Sequence, residues 1–190
     1  MMNPQDRKLA ILQAKSEVLQ QPVYLDTETT GLDNGAEIVD ICVLDHDGSV
    51  LVDSLVKPKG KIPLDVIRIH GITNEMVQDA PTWLELWPQV KAALAGRRVA
   101  IYNAEFDVRM MQQSHRKHKL RWDLDATFFC VMQLYAQFYG EWNYSYHSYR
   151  WQKLENAGRQ CRIKLPNAHR AQADALLARG VLRYVAERTR

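Results

Sequence analysis

The sequence predicts an α/β fold in which an antiparallel meander and parallel strands form one mixed sheet flanked by helices. Three closely spaced β-prone runs, at about 23–28, 37–45 and 49–56, predict the meander, and the tight turn 45–48 joins the last two. The apolar run 99–102 is followed directly by an amphipathic stretch, which is typical of a strand-to-helix unit that adds a parallel strand. A chain of 190 residues can bury one substantial core, so we expect a single domain.

Apolar spacing predicts the other elements. An N-terminal helix at about 6–20 has Leu9, Leu12 and Val18 available for packing. The remaining predicted elements are short helices near Asp65 and Asn74, a helix at 82–95, a helix beginning near Glu105, a short strand near 122–125, and helices at 128–139, 151–159 and 169–187.

Composition limits the class of protein. The formal net charge of +3 is mild, so any surface that attracts phosphate must be local. The basic stretches 57–61 and 115–121 are candidates, although both are equally typical of a solvated surface. Three cysteines without a Cys-x-x-Cys pair argue against a disulfide framework or a structural zinc site. With no signal sequence and no long apolar run, we expect a cytoplasmic protein.

A pair of carboxylates lies at the end of the first predicted strand. Asp26 and Glu28 are two residues apart, a spacing that points both side chains to the same face of a strand. Carboxylates that close would raise each other's pKa values unless a cation lies between them, and hard oxygen ligands favour Mg²⁺ or Mn²⁺ over Zn²⁺. An isolated Asp-x-Glu pair is, however, also typical of a solvated strand end.

Two later segments carry further candidates at helix starts. Asp107 lies where a helix follows the 99–102 strand, a position at which ligands gather in open sheets, although an acidic residue also stabilises a helix N-terminus. With Asn167 as N-cap, His169 falls in the first turn of the last helix and Asp174 further inside. A histidine titrates near neutral pH in general and is therefore suited to accept a proton from water, although a histidine at a helix start is ordinarily just exposed.

The order of these segments resembles that of a known family. Asp-x-Glu, Asn-Ala-x-Phe-Asp and His-x-x-x-x-Asp together are similar to the DEDDh branch of the DnaQ-like 3′-5′ exonucleases, in the ribonuclease H-like superfamily. The segments 37–41 and 70–73, the latter His-Gly-Ile-Thr, agree with the resemblance, which extends from about Val23 to about Leu182. It implies a ribonuclease H-like mixed sheet, with residues 1–21 as an N-terminal helical extension and residues 22–190 as the exonuclease domain.

The resemblance also implies roles for individual residues. Asp26 would bridge two divalent metal ions, Mg²⁺ or Mn²⁺; Glu28 and Asp174 would complete the more tightly held ion; Asp107 would act through coordinated water; and His169 would be the general base. The implied reaction releases nucleoside monophosphates from nucleic-acid 3′ ends. The implied substrate contacts are Thr27 and Thr29 along the terminal nucleotide, Leu32 and Ile72 against the last bases, and His70 and Phe106 at the border of the pocket. Leu32 and Ile72 are equally typical of apolar residues that pack a turn.

The motif residues do not indicate whether the substrate strand is DNA or RNA, because none of them marks a contact to the 2′-hydroxyl group that distinguishes RNA from DNA. The resemblance favours single-stranded DNA and a proofreading or repair role, with a polymerase or repair protein as a candidate partner. The alternatives are an exoribonuclease that trims RNA ends and a non-catalytic, polymerase-associated module of the same fold. The presence of all five acid–base positions favours activity.

An aromatic stretch at 138–151 lies outside these motifs. Such rings stack with bases in single-strand grooves, pack against a core, or form a self-association surface. We expect most of these rings to pack against the core and one or two of them to lie near the substrate.

Overall fold

The computed structural model describes residues 4–164 and 170–189. Its strands are β1 (Val23–Thr29), β2 (Ile38–Leu44), β3 (Val50–Leu55), β4 (Arg98–Ile101), β5 (Thr127–Cys130), β6 (Trp142–Asn143) and β7 (Ser148–Tyr149). Its helices are α1 (Pro4–Leu19), α2 (Leu64–His70), α3 (Trp83–Leu94), α4 (Ala104–Lys117), α5 (Val131–Tyr139), α6 (Leu154–Gln160) and α7 (Ala171–Ala186). Among the described residues, no helix is both long and apolar enough to cross a membrane.

The predicted mixed sheet is confirmed. Its strand order is β3-β2-β1-β4-β5, in which β1, β2 and β3 form the antiparallel meander. The strands β4 and β5 extend the sheet parallel to β1. The carboxyl ends of β1, β4 and β5 therefore meet at one edge of the sheet, which we call the carboxyl edge. Parallel strands of this kind place the loops and helices that follow them at the same edge.

Helices cover both faces of the sheet, and β1 is buried against both. Tyr24 belongs to the core cluster formed with α1, α5 and α7, whereas Leu25 belongs to the cluster formed with α3 and α4. Side chains alternate along a strand, so Asp26 and Glu28 face the α7 side with Tyr24. The acidic pair is thereby directed at the helix that carries Asp174.

The buried face of α1 differs in part from the predicted one, although Val18 packs against the core as predicted. Leu9 and Leu12 are 56% and 51% exposed, whereas Ala10, Ile11 and Ala14 are buried in the cluster shared with α5 and α7. Small side chains permit a close approach of two helices, and α7 is itself rich in alanine. The buried face of α1 is therefore the one whose small side chains, Ala10 and Ala14, fit against α7.

Local predictions are wrong at two places. The strand predicted near 122–125 lies instead at β5, which pairs in register with β4, so α5 begins only at Val131. No helix forms near Asn74, where the chain makes turns. The Asn74 carboxamide explains this difference, because it exchanges two hydrogen bonds with the backbone of Ile62 and so fixes a loop.

The basic stretches take part in internal contacts. His115 is buried on α4, with Trp87 and Trp122 edge-on to its ring. Lys117 donates to Gly35 O at 2.6 Å, and Lys59 donates to Lys117 O. Lys117 therefore ties the loop between β1 and β2 to the end of α4, and Lys59 ties the segment after β3 to the same end.

Candidate active site

Three carboxylates converge at the carboxyl edge. Asp26 and Glu28 project from β1, and Asp174 projects from the first turn of α7. One oxygen from each lies within 4.8 Å of the others. The strand spacing thus places the first two on one face, and the packing of α7 on β1 adds the third.

The start of α7 differs from its prediction. The helix begins at Ala171, with Arg170 as N-cap, rather than after an N-cap at Asn167. Asn167 and His169 lie outside the described residues. The predicted role of His169 therefore stays a prediction.

Asp107 reaches the same edge from the opposite face of the sheet. Asn103, in a left-handed conformation (φ 72°, ψ 54°), turns the chain from β4 into α4, and Asp107 follows in the first turn of that helix. Thr27 Oγ1 donates a 2.7 Å hydrogen bond to Asp107 Oδ1, and both side chains are buried. Thr27 thus fixes the orientation of this carboxylate next to Asp26.

Burial and mutual repulsion raise the pKa values of this cluster. Burial raises the pKa of Asp26 well above its usual value, and the charges of Asp107, Asp174 and Glu28 raise it further. Burial, followed by the charge of Asp174, raises the pKa of Glu28 to about 8. Burial raises the pKa of Asp107 to about 7 against the opposing effect of its hydrogen bond from Thr27. Nearby carboxylates that resist ionisation form a site that a divalent cation would stabilise.

These pKa values predict a link between pH, metal and stability. A carboxyl whose pKa is raised on folding contributes stability below its unfolded pKa, and this contribution is lost as pH rises through the folded pKa. For Glu28 and Asp107 the window runs from about 4 to about 8. We expect the melting temperature of the metal-free protein to fall across this window. Mg²⁺ or Mn²⁺ is expected to raise it more at pH 8 than at pH 5, as measured by calorimetry. An equal metal effect at both pH values would contradict the coupling.

His70 connects the His-Gly-Ile-Thr segment to the end of β1. The backbone N–H of Ile72 donates to His70 Nδ1 at 3.0 Å, which leaves the proton on Nε2. Nε2 in turn donates to Thr29 O at 3.3 Å. The Thr29 hydroxyl donates to Gly31 O at 2.7 Å. His70 and Thr29, both buried, therefore fix the backbone that leads away from Glu28.

Leu32 and Ile72, expected to act alike, differ in the structure. Leu32 is 76% exposed, and its carbonyl accepts a 3.2 Å hydrogen bond from Arg109. The Arg109 guanidinium also lies over the half-buried ring of Phe106. Leu32 and Phe106 are thus held near each other through Arg109. Ile72 is fully buried in an apolar cluster, and its predicted contact with a base stays a prediction.

The motifs did not identify an ion pair beside the acidic cluster. Asp40 on β2 is 1% exposed, and its Oδ2 lies 2.8 Å from Arg170 Nε. The same oxygen accepts a 3.4 Å hydrogen bond from the backbone N–H of Ala171, the first residue of α7. Asp40 and Arg170 thus attach the start of α7 to the sheet a few residues before Asp174. An acidic residue inside an otherwise apolar strand was the available signal.

Comparisons with known proteins identify the family and the fold of this chain. The family model described as exonuclease, RNase T, matches residues 23–182. Exonuclease CP81 of Escherichia phage 186 is 37% identical over 180 residues, which cover 92% of each chain. The DNA polymerase III subunit epsilon of Pasteurella multocida is 32% identical over 114 residues, or 55% of this chain and 45% of that protein.

A solved structure shares the fold. It is described as 3′-end specific recognition of a histone mRNA stem-loop by a 3′-exonuclease, and it superposes with a TM-score of 0.70 at 15% identity. The match covers 88% of this chain and 64% of that chain. The chain therefore belongs to the RNase T exonuclease family, among the DnaQ-like exonucleases with a ribonuclease H-like fold.

Proposed function

We propose that this exonuclease is metal-dependent, cuts in the 3′-5′ direction, and releases nucleoside monophosphates from the 3′ ends of single-stranded DNA. One observation carries the proposal. The carboxylates of Asp26, Glu28 and Asp174 converge within 4.8 Å, with Asp107 fixed beside them by Thr27. A partly buried acidic cluster whose members repel one another fits metal-assisted cleavage of a phosphodiester better than a purely structural role.

The donor set suits Mg²⁺ or Mn²⁺. All four side chains offer carboxylate oxygens, the ligands that these hard cations prefer, and no cysteine or histidine is among them. When bound, a pair of such ions lowers the pKa of water and neutralises charge that develops on the phosphate. Asp26, Glu28 and Asp174 would hold one ion, Asp26 would be shared with the second, and Asp107 would contact the second through water.

The chain supplies the remaining groups for hydrolysis. His169 is proposed to accept the proton of the attacking water, which then adds to the phosphorus as the 3′ oxygen of the penultimate nucleotide departs. Thr27 and Thr29 are proposed to border the terminal nucleotide. The exposed side chain of Leu32, near Phe106 across Arg109, is available to contact the terminal base.

Sequence identity to a DNA polymerase subunit favours DNA over RNA as the substrate. The polymerase subunit epsilon shares 32% identity over about half of this chain, whereas the structure described with an mRNA stem-loop shares only the fold. We therefore propose a proofreading or repair role, with a polymerase or repair protein as partner. The catalytic domain is proposed to comprise residues 22–190, with residues 1–21 as an N-terminal extension whose helix α1 packs on it.

Digestion of end-labelled oligonucleotides tests this function. Matched single- and double-stranded DNA and RNA are incubated with Mg²⁺, with Mn²⁺, or with a chelator. We expect stepwise shortening from the 3′ end with either metal and none with the chelator, fastest on single-stranded DNA. Faster shortening of RNA would reassign the substrate, and no shortening of any strand with either metal would refute the exonuclease reaction.

A further inference from the structure

We propose that the exposed rings of Tyr144, Tyr146 and Trp151 form a stacking surface for the single strand upstream of its 3′ end. The segment 142–151, here called the aromatic hairpin, contains β6, β7 and these three rings. The proposal rests on the exonuclease function above and adds to it a binding surface outside the acidic cluster.

The rings of the aromatic hairpin fall into two groups, one packed within the chain and one exposed. Trp142 and Tyr149 pack edge-on with centroids 5.1 Å apart, and the Tyr149 hydroxyl donates to Asp6 Oδ2 at 2.5 Å. These two rings build the hairpin and attach it to α1. Tyr144, Tyr146 and Trp151 are instead 74%, 79% and 61% exposed. Packing within the chain therefore accounts for the first two rings and leaves the other three available to a ligand.

Sheet register places one end of the hairpin beside the acidic cluster. On the parallel strands β1 and β4, Leu25 pairs with Ile101, so Asp26 and Tyr102 are the next residues along adjacent strands. Tyr102 packs in the α7-side core cluster, the face to which Asp26 also points. The Tyr102 hydroxyl donates to Gln152 O at 2.8 Å. Gln152 is thus held at the carboxyl edge, and the exposed Trp151 is the residue next to it.

Helix direction places the other anchor at the same edge. α1 and α7 pack side by side, and their C-terminal ends line a common groove that includes Leu19 and Arg183. The two helices therefore run in the same direction, and their starts, near Asp6 and Asp174, lie at the same end. Tyr149 binds Asp6, so both attachments of the hairpin lie toward the acidic cluster.

The chemistry of the hairpin fits a nucleic-acid strand. Tyr146, Tyr149 and Trp151 line a pocket of about 390 Å³ together with Arg150. Arg150 is largely exposed and paired to Glu141 at 3.2 Å, which orients its guanidinium at the rim. Ring faces bind any base and a guanidinium binds phosphate, so a single strand uses both features. Stacking also tolerates any sequence, as an enzyme that shortens a strand stepwise requires.

Kinetics on long and short substrates test the surface. The variants are Tyr144→Ala/Tyr146→Ala and, separately, Trp151→Ala. We expect the KM for a long single-stranded oligonucleotide to rise about fivefold to a hundredfold, the range for loss of one stacked base, with kcat unchanged. A dinucleotide, which carries a single nucleotide upstream of the cleaved bond, should lose far less kcat/KM than the long oligonucleotide. The ring-preserving variant Tyr144→Phe/Tyr146→Phe should behave as wild type, and so should Leu84→Ala, which removes an exposed apolar side chain on α3.

Each possible result of these measurements leads to a different conclusion. Unchanged KM for the long oligonucleotide in both alanine variants would overturn the proposal, and a shift in oligomeric state at unchanged KM would identify a self-association surface instead. Equal losses on both substrates would also overturn it, because they indicate a structural role. If wild type cleaves neither substrate, the exonuclease proposal fails. Fluorescence anisotropy with the long oligonucleotide then still decides whether the alanine variants lose binding.

Discussion

Asp26→Asn is expected to abolish exonuclease activity while stabilising the metal-free protein. The substitution keeps the shape of the side chain but removes the carboxylate to which Asp107, Asp174 and Glu28 are coupled. Loss of a shared metal ligand should lower kcat by about 10³-fold or more. Removing one charge weakens the repulsion among the remaining carboxylates and should raise the free energy of unfolding by about 0.5–2 kcal/mol at pH 8. Charged groups that serve function often reduce stability in this way.

Two measurements check this expectation together. Single-turnover digestion of a labelled oligonucleotide gives the activity, and urea unfolding without metal gives the stability. The matched control is Asp79→Asn, which removes an exposed carboxylate outside the acidic cluster and should change neither quantity. An Asp26→Asn protein that retains activity, or that unfolds more readily without metal than wild type, would contradict the assignment.

Arg170→Ala is expected to lower both stability and activity. The substitution leaves the buried Asp40 carboxylate without its guanidinium partner, and because Arg170 is itself 46% exposed we expect a cost of about 1–2 kcal/mol, below that of a fully buried pair. It also loosens the start of α7, where Asp174 lies. We expect kcat to fall about tenfold or more, because small displacements of a catalytic group strongly reduce rates.

Companion variants distinguish the cost of an unpaired buried charge at Asp40 from the loss of correct placement of Asp174. Asp40→Asn/Arg170→Ala leaves no unpaired buried charge, so it should regain stability without regaining activity. Arg159→Ala, which breaks the exposed pair with Glu155 on α6, should cost less than about 0.5 kcal/mol and leave activity intact. Full activity of Arg170→Ala at a temperature where it is folded would show that the pair has no positioning role.

The features that could be predicted from the sequence are those that depend on residue spacing within a short segment. The alternation along β1 predicted that Asp26 and Glu28 share a face, and the strand-to-helix pattern predicted Asp107 at the start of α4. Both follow from backbone periodicity, which short segments already determine. The meander was predictable for the same reason, because a tight turn between two β-prone runs leaves few alternatives.

Features that depend on distant partners could not be predicted in this way. The buried face of α1 is chosen by close approach to α7, and the bond from Asp40 to Arg170 joins β2 to the last helix. Ile72 is taken up by a core cluster whose other members include Val39 and Ile62. Each of these outcomes is decided by tertiary packing, which residue type and periodicity do not specify.

The arrangement of the acidic cluster has a consequence for the order of folding. Asp26 belongs to the first strand and Asp174 to the last helix, so the cluster closes only when distant parts of the chain meet. Contacts at such separations form late, because the intervening chain must first lose its conformational freedom. In a chain emerging from the ribosome, the meander could form before α7 and Asp174 have been synthesised. The proposed hydrolytic site would therefore be complete only once α7 has docked on β1.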